Sequence, residues 1–330
     1  VKSINRKENE SAVSPIVATL VLIVVAVVGA VAVGTIMGTF SSDVAEKTSV
    51  GETGAAASAE LLIGGSTTVQ PVSEEIEKAY KKVSPGVEVA VTGGGSGAGV
   101  NAVGMGTIDI GSSSDLTKIT SAKSAHPEWD LRETQIGGSG VVFIVSEPIA
   151  VAGNVTKAAL TDLYQNGNVP ANLPGITQIY QRAESSGTEE TAAEYLGGPS
   201  KSFDTWTAGG KSYSAVGNSG VLAAVKASST AIGFVDMGFA YDTAGNEVAG
   251  IDVVSIDGYP DTKKDHIKDA AKNKLAGTTS SKYPVELARG LYYITAGEPS
   301  ILEKDFIAFA ASPASIDAVH AAGVFHVLDL

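Results

Sequence analysis

Apolar and polar residues change their spacing sharply along this chain, and the changes divide it. From Val13 to Phe40 the sequence reads VSPIVATLVLIVVAVVGAVAVGTIMGTF, and no charged residue occurs between Glu10 and Asp43. As one helix this run extends roughly 40 Å, enough to cross a hydrocarbon layer about 30 Å thick. The short segment before it holds Lys2, Arg6 and Lys7. The positive-inside rule therefore keeps the N-terminus in the cytoplasm and places the remainder outside. A secretory signal peptide would have an apolar stretch of only about 7–15 residues. The expectation is a charged leader (1–12), a single transmembrane helix (13–40) and a small, polar, aperiodic tether (41–58) leading to an exported domain.

From residue 59 the pattern alternates short apolar runs with amphipathic segments, which predicts an α/β fold. AELLIG reads as a strand, GSTTVQ as a turn and PVSEEIEKAYKKV as a helix with Pro71 in its first turn. VEVAVT reads as a strand, GGGSG as a turn and AGVNAVGMG as a short helix. TIDIG is a strand running into SSSDLTK. ITQIYQ is a strand, RAESSG a turn, and TEETAAEYLG a helix ending at glycine. Four strands thus end in a glycine, serine or threonine cluster. In open α/β sheets ligands bind beyond the carboxyl ends of the strands. Helix N-termini there offer unpaired N–H groups and partial positive charge, so such clusters can cradle an anion. One cluster contains Arg182, a fork of donors suited to tetrahedral oxyanions, beside Ser186, Gly187 and Thr188. A single cluster is an ordinary N-cap; four of the same character point to a shared ligand.

Composition narrows the choices. A chain of 330 residues with 44% apolar content has room for about two domains. A net charge of −13 argues against nucleic acid as a partner. The absence of cysteine excludes disulfides and thiolate metal sites. GGGSGA and GAGVNA fit a loose dinucleotide-binding pattern, but no acidic residue ends a second strand about twenty positions later. Ser96 in GGSGA misses the G-x-S-x-G elbow, and His126, His266, His320 and His326 lie in no motif, so neither a hydrolase nor a zinc site is expected. Trp129 and Trp206 read as packing residues, and DTKKDHIKDAAKNK as a solvated segment.

Two resemblances add to this reading. ESAVSPIVATLVLIVVAVVGAVAVG is similar to the N-terminus of archaeal type IV pilin-like proteins, which implies a leader cleaved near Ala12 and Val13 and a helix kept as membrane anchor or filament stem. The exported part resembles periplasmic-type phosphate-binding proteins, the substrate-binding subunits of phosphate ABC transporters. The matching stretches are GGSTTVQPVSEEIEKAY, TGGGSGAGV, GTIDIGSSSD, RAESSGT, GNSGVLAAVKASSTAIGFVD and YPVELARGLYYITAGEP, in family order. The resemblance implies an α/β, type II, two-lobe periplasmic-binding-protein-like fold. Lobe one would use 59–136 and 286–330 and lobe two 137–285, with IGGSGVVFIV and YPVELARGLYYI crossing between them. It implies no catalytic residues and no cofactor, with inorganic phosphate as ligand and a membrane permease as partner. Localisation would be a single-pass cell-membrane protein with its binding domain outside.

Carried over by position, the first loop places Thr68 and the backbone of Val69 at the anion, with Ser66 and Thr67 close by. The second places Ser96 and Gly97, and the fourth Arg182, Ser186, Gly187 and Thr188. In the third, many family members carry an aspartate that accepts the phosphate proton; here that position is Ser114, with Asp115 one later. Either Asp115 fills the role by a small shift, or the site lacks the acceptor. Sulfate has no proton to donate, so this residue bears on the choice among phosphate, sulfate, molybdate and tungstate. GNSGV (217–221) is expected to be a turn and helix start with a structural role. The alternative function is a pilin-like filament subunit displaying a binding-protein-like head.

Overall fold

The computed structural model describes residues 59–184 and 186–330. The leader, apolar span and tether expected at 1–58 lie outside the described residues. Among those described, no helix is long and apolar enough to cross a membrane.

Strands and helices alternate from the first described residue. β1 (Ala59–Gly65) leads to α1 (Val69–Val83), β2 (Val87–Thr92) to α2 (Ser96–Gly104), and β3 (Ile110–Ser113) to α3 (Leu116–Ala125). A long β4 (Leu131–Ser146) follows. Next come α4 (Lys157–Asn166), β5 (Gln178–Arg182), α5 (Gly187–Leu196), β6 (Ser212–Ala215) and α6 (Gly217–Ala227). The chain continues through β7 (Ala231–Asp236), the single turn α7 (Met237–Ala240), β8 (Ile251–Val253) and α8 (Lys264–Leu275). It closes with β9 (Ala288–Ala296), α9 (Ile301–Ala310), α10 (Ile316–Ala321) and β10 (Phe325–His326). All four Gly/Ser/Thr clusters precede a helix. α1 and α2 each start two residues before the periodicity places them, because the cluster residues themselves enter the first turn.

In α1 the buried positions Val69, Val72, Ile76 and Tyr80 recur every three or four residues, which puts them on one face. Tyr80 meets Phe306 of α9 edge-on at 5.0 Å, and its hydroxyl donates to Asp305 at 2.6 Å. Lys81 and Lys82 fall in the last turn, where cations suit the helix dipole.

The strands run in the order β2-β1-β3-β9-β4-β7-β5-β6, with β8 and β10 also pairing β4. β1 is parallel to β2 and β3, and β5 is parallel to β6 and β7. β4 belongs to both sets. Its first part, Leu131 to Gly140, pairs antiparallel with β9; Val141 to Val145 pair antiparallel with β7. At about 3.3 Å per residue this strand runs roughly 50 Å, well beyond an ordinary strand of about six residues. Every residue from Ile136 to Ser146 is buried, as expected for a strand covered on both faces. The result is two α/β lobes. One has Leu61, Ile63, Ile110, Tyr293 and Phe306 at its centre; the other has Phe143, Tyr164, Phe203 and Phe234. The chain enters the second lobe along β4 and returns through Tyr283–Leu287 into β9.

One close approach sets the geometry at the strand ends. A Cβ on Gly99 of α2 would lie 2.6 Å from both the Gly64 carbonyl oxygen and the Gly65 Cα. Gly65 itself has φ +136°, a conformation open to glycine. The missing side chains let α2 sit directly on the end of β1, bringing the first and second loops together.

Candidate functional site

The loops after β1, β2, β3 and β5 meet between the lobes. Ser66 Oγ accepts from the N–H of Thr68 at 3.2 Å and of Val69 at 3.4 Å, and so closes the start of α1. Ser186 does the same for α5, accepting from the N–H of Thr188 and Glu189. Ser96 opens α2 and its hydroxyl accepts from the Ser114 N–H at 3.2 Å; Gly97 lies in that same first turn. Gly187 brings the second lobe against the first. A Cβ there would stand 2.8 Å from Ser114 Oγ, 3.0 Å from Ser96 Oγ and 3.3 Å from Asp115 Cβ.

Two buried guanidiniums organise these hydroxyls. Arg182, at the end of β5, donates through Nη2 to Thr67 Oγ1 of the other lobe at 2.7 Å and forms an ion pair with Glu184. Its Nη1 reaches Asn218 Oδ1 at 3.3 Å. Burial pushes this guanidinium below its ordinary range, and Glu184 opposes that shift; an arginine remains charged throughout. Arg289, near the start of β9, reaches both lobes. Its Nη1 donates to Ser114 Oγ at 3.2 Å, and its Nη2 to Thr68 Oγ1 at 2.9 Å, Thr188 Oγ1 at 3.0 Å and Asp236 Oδ2 at 2.7 Å. Thr68 Oγ1 also receives Asn218 Nδ2 at 3.2 Å and lies 3.2 Å from Thr188 Oγ1. Ser114 Oγ accepts from Ser66 Oγ at 3.0 Å and lies 3.4 Å from Ser96 Oγ. Donors from both lobes therefore converge on two neighbouring hydroxyl oxygens. The Nε of each arginine is buried with no partner among the described residues, so both keep a donor to spare.

Of the residues singled out from sequence, Ser66, Thr67, Thr68, Val69, Ser96, Gly97, Ser114, Arg182, Ser186, Gly187 and Thr188 are gathered here. Asp115 is not, and this corrects its candidacy as the acceptor inside the site. Its carboxylate caps α3, accepting from the Thr117 N–H at 2.7 Å, and engages Glu190 at the rim of the cleft. Burial works against its charge, yet these hydrogen bonds hold the carboxyl below its usual value. A one-residue offset decides the matter: an N-cap side chain must fold back over its own helix, which leaves Ser114 to face inward.

Sequence reasoning missed Arg289, Asp236 and Asn218. The carboxylate inside the cluster is Asp236, fully buried, which accepts from Ser139 Oγ at 2.7 Å and the Gly238 N–H at 3.0 Å while pairing with Arg289. Asn218 belongs to GNSGV, which does begin a helix as expected, but its side chain is 1% exposed and bridges Arg182 and Thr68. The available signal was the cation in ELARGLYY, an arginine one residue into a strand whose neighbours are apolar. The four histidines and both tryptophans stay outside this cluster; Trp206 packs on Phe203 at 5.3 Å and Trp129 stacks on His126 at 4.0 Å.

A family model described as a PBP superfamily domain matches residues 50–314. The phosphate-binding protein PstS 2 of Streptococcus pneumoniae is 34% identical over 107 residues, 32% of this chain. That alignment spans 34% of the relative, so the match covers about a third of its length. The phosphate-binding protein PstS of Bacillus subtilis is 26% identical over 261 residues, covering 78% of this chain and 76% of the relative. Among solved structures, an ABC-type phosphate transport receptor from Vibrio cholerae superposes with a TM-score of 0.59 at 20% identity, covering 80% of this chain and 99% of that one. At that identity the likeness is one of fold. The family match takes in both lobes and every loop of the site, and the chain belongs to the PBP superfamily.

Proposed function

We propose that this chain captures inorganic phosphate between its two lobes and passes it to the permease of an ABC transporter. The carrying observation is the convergence of two buried guanidiniums, Arg182 and Arg289, with hydroxyls supplied by both lobes. A tetrahedral oxyanion suits forked donors and helix N-termini, and α1, α2 and α5 all start here. The chain's net charge of −13 opposes anions at long range, so capture depends on these local donors. The relatives named above are binding proteins, which supports a receptor and not an enzyme. In this reading the contacts are Ser66, Thr67, Thr68, the Val69 backbone, Ser96, Gly97, Ser114, Arg182, Ser186, Gly187 and Thr188, joined by Arg289 and Asn218. The apolar run at 13–40, with the basic residues before it, supports a single-pass anchor that holds the binding domain outside the cell membrane.

Calorimetric titration of the full chain, stripped of bound anion, tests this with phosphate and then sulfate near pH 7. Phosphate is expected to evolve heat with micromolar affinity, about −8 kcal/mol. Heat from sulfate, molybdate or tungstate alone would keep the site and change the substrate. Silence from every oxyanion would overturn the reading in favour of a filament subunit.

A further inference from the structure

We propose that closing the two lobes takes up one proton, held between the carboxyl groups of Asp115 in the first lobe and Glu190 in the second. The proposal rests on the capture of phosphate by lobe closure. Asp115 caps α3, whereas Glu190 sits in the first turns of α5. They belong to different lobes and meet only because Gly187 lets α5 press against the third loop. The two carboxyls share a hydrogen bond. An ionised carboxylate can only accept, so two of them in hydrogen-bond contact need a proton between them.

The surroundings identify the carrier. Asp115 receives the Thr117 N–H and stays ionised. Glu190 is pushed up to about 7 by burial first, then by Asp115, against the pull of Lys118. Lys118 Nζ lies 2.5 Å from Glu190 Oε1, a second bond across the lobes. Lys201 pairs with Glu194 at 2.9 Å and reaches Thr117 Oγ1 at 3.3 Å, a third link. Lys274 of α8 stands near Asp115 and Glu194, while Arg182, Glu184, Glu189 and Asp204 line the cavity on the other side of Glu190. Asp115 is thus the acceptor that faces Glu190, and the two lysines limit the repulsion without removing it.

The sign of the linkage follows. With the lobes apart, each carboxyl returns to an ordinary value near 4. Closure raises the Glu190 value, so its contribution to closure is fully present below about pH 4 and is lost as pH rises through about 7. Between those limits each closure binds close to one proton, and affinity falls up to about tenfold per pH unit as pH rises.

The test is calorimetric phosphate binding at pH 6, in buffers of different ionisation heat, for the full chain and for Glu190→Gln. The native chain is expected to take up close to one proton more per phosphate than the variant. Phosphate's own titration is common to both and cancels. Asp115→Asn should lose the same proton, since an amide can donate to a carboxylate. Equal proton counts in native chain and variants would overturn the proposal. If no anion evolves heat, the phosphate reading fails separately. Carbon-13 carboxyl titration of Glu190 without ligand then decides. A midpoint near 7 that drops in Asp115→Asn supports the shared proton, whereas an ordinary midpoint in both sinks it.

Discussion

Arg182→Ala is expected to weaken phosphate binding by about 30-fold to several thousand-fold, the 2–5 kcal/mol typical of truncating one partner of a buried charge pair. The loss has two parts. The desolvated anion loses a counter-charge and a fork of donors, and Glu184 is left without its ion-pair partner beside the site. Thr67 and Asn218, which Arg182 ties together across the lobes, lose their common donor as well. Calorimetry on the variant reads the change directly. Affinity within a factor of two of the native chain would show that Arg182 is a structural bridge and not an anion contact. A matched thermal melt guards the reading, since both outcomes require the fold to be intact.

The second large effect concerns Asp236→Asn. Asp236 is fully buried, and its charge is the counterpart of Arg289. Removing it leaves an uncompensated guanidinium in the cluster, a change that typically costs about 3–5 kcal/mol. For a chain of this size that is a fall in melting temperature of roughly 6–15 °C. Phosphate should then act as the missing counter-ion. Its addition is expected to raise the melting temperature of the variant by more than that of the native chain, because binding now also relieves an unpaired charge. Equal stabilisation of both proteins would place Arg289 outside the anion's reach.

How much of this was legible in the sequence follows from how local each feature is. The four clusters were readable because a strand, a tight turn and a helix start lie within about ten residues, and each part leaves its own residue type. The same locality exposed Arg182, which ends a strand and begins a cluster. Arg289, Asp236 and Asn218 come from segments whose local pattern is that of a strand, a strand end and a helix start. They become a site only when β4, β7 and β9 pair, and nothing within a few residues of any of them records that pairing. The third loop failed for a finer reason. Whether Ser114 or Asp115 faces inward depends on which of them caps α3, and both residue types are good caps. The two-lobe organisation was legible through family resemblance; periodicity alone gave only the α/β alternation.

The long strand β4 has a consequence beyond the site. It supplies ladder partners to β9 in one lobe and to β7 and β8 in the other, without a break in the backbone. Melting either lobe would strip bonds from a strand that the other lobe also needs. The lobes are therefore poor candidates for independent modules: a half excised at Gly140 would keep its helices but expose a bare sheet edge where the shared strand was cut. Movement between the lobes has to be distributed as gentle bending and twisting along a continuous ribbon, which suits a receptor that opens narrowly and returns to one defined shape.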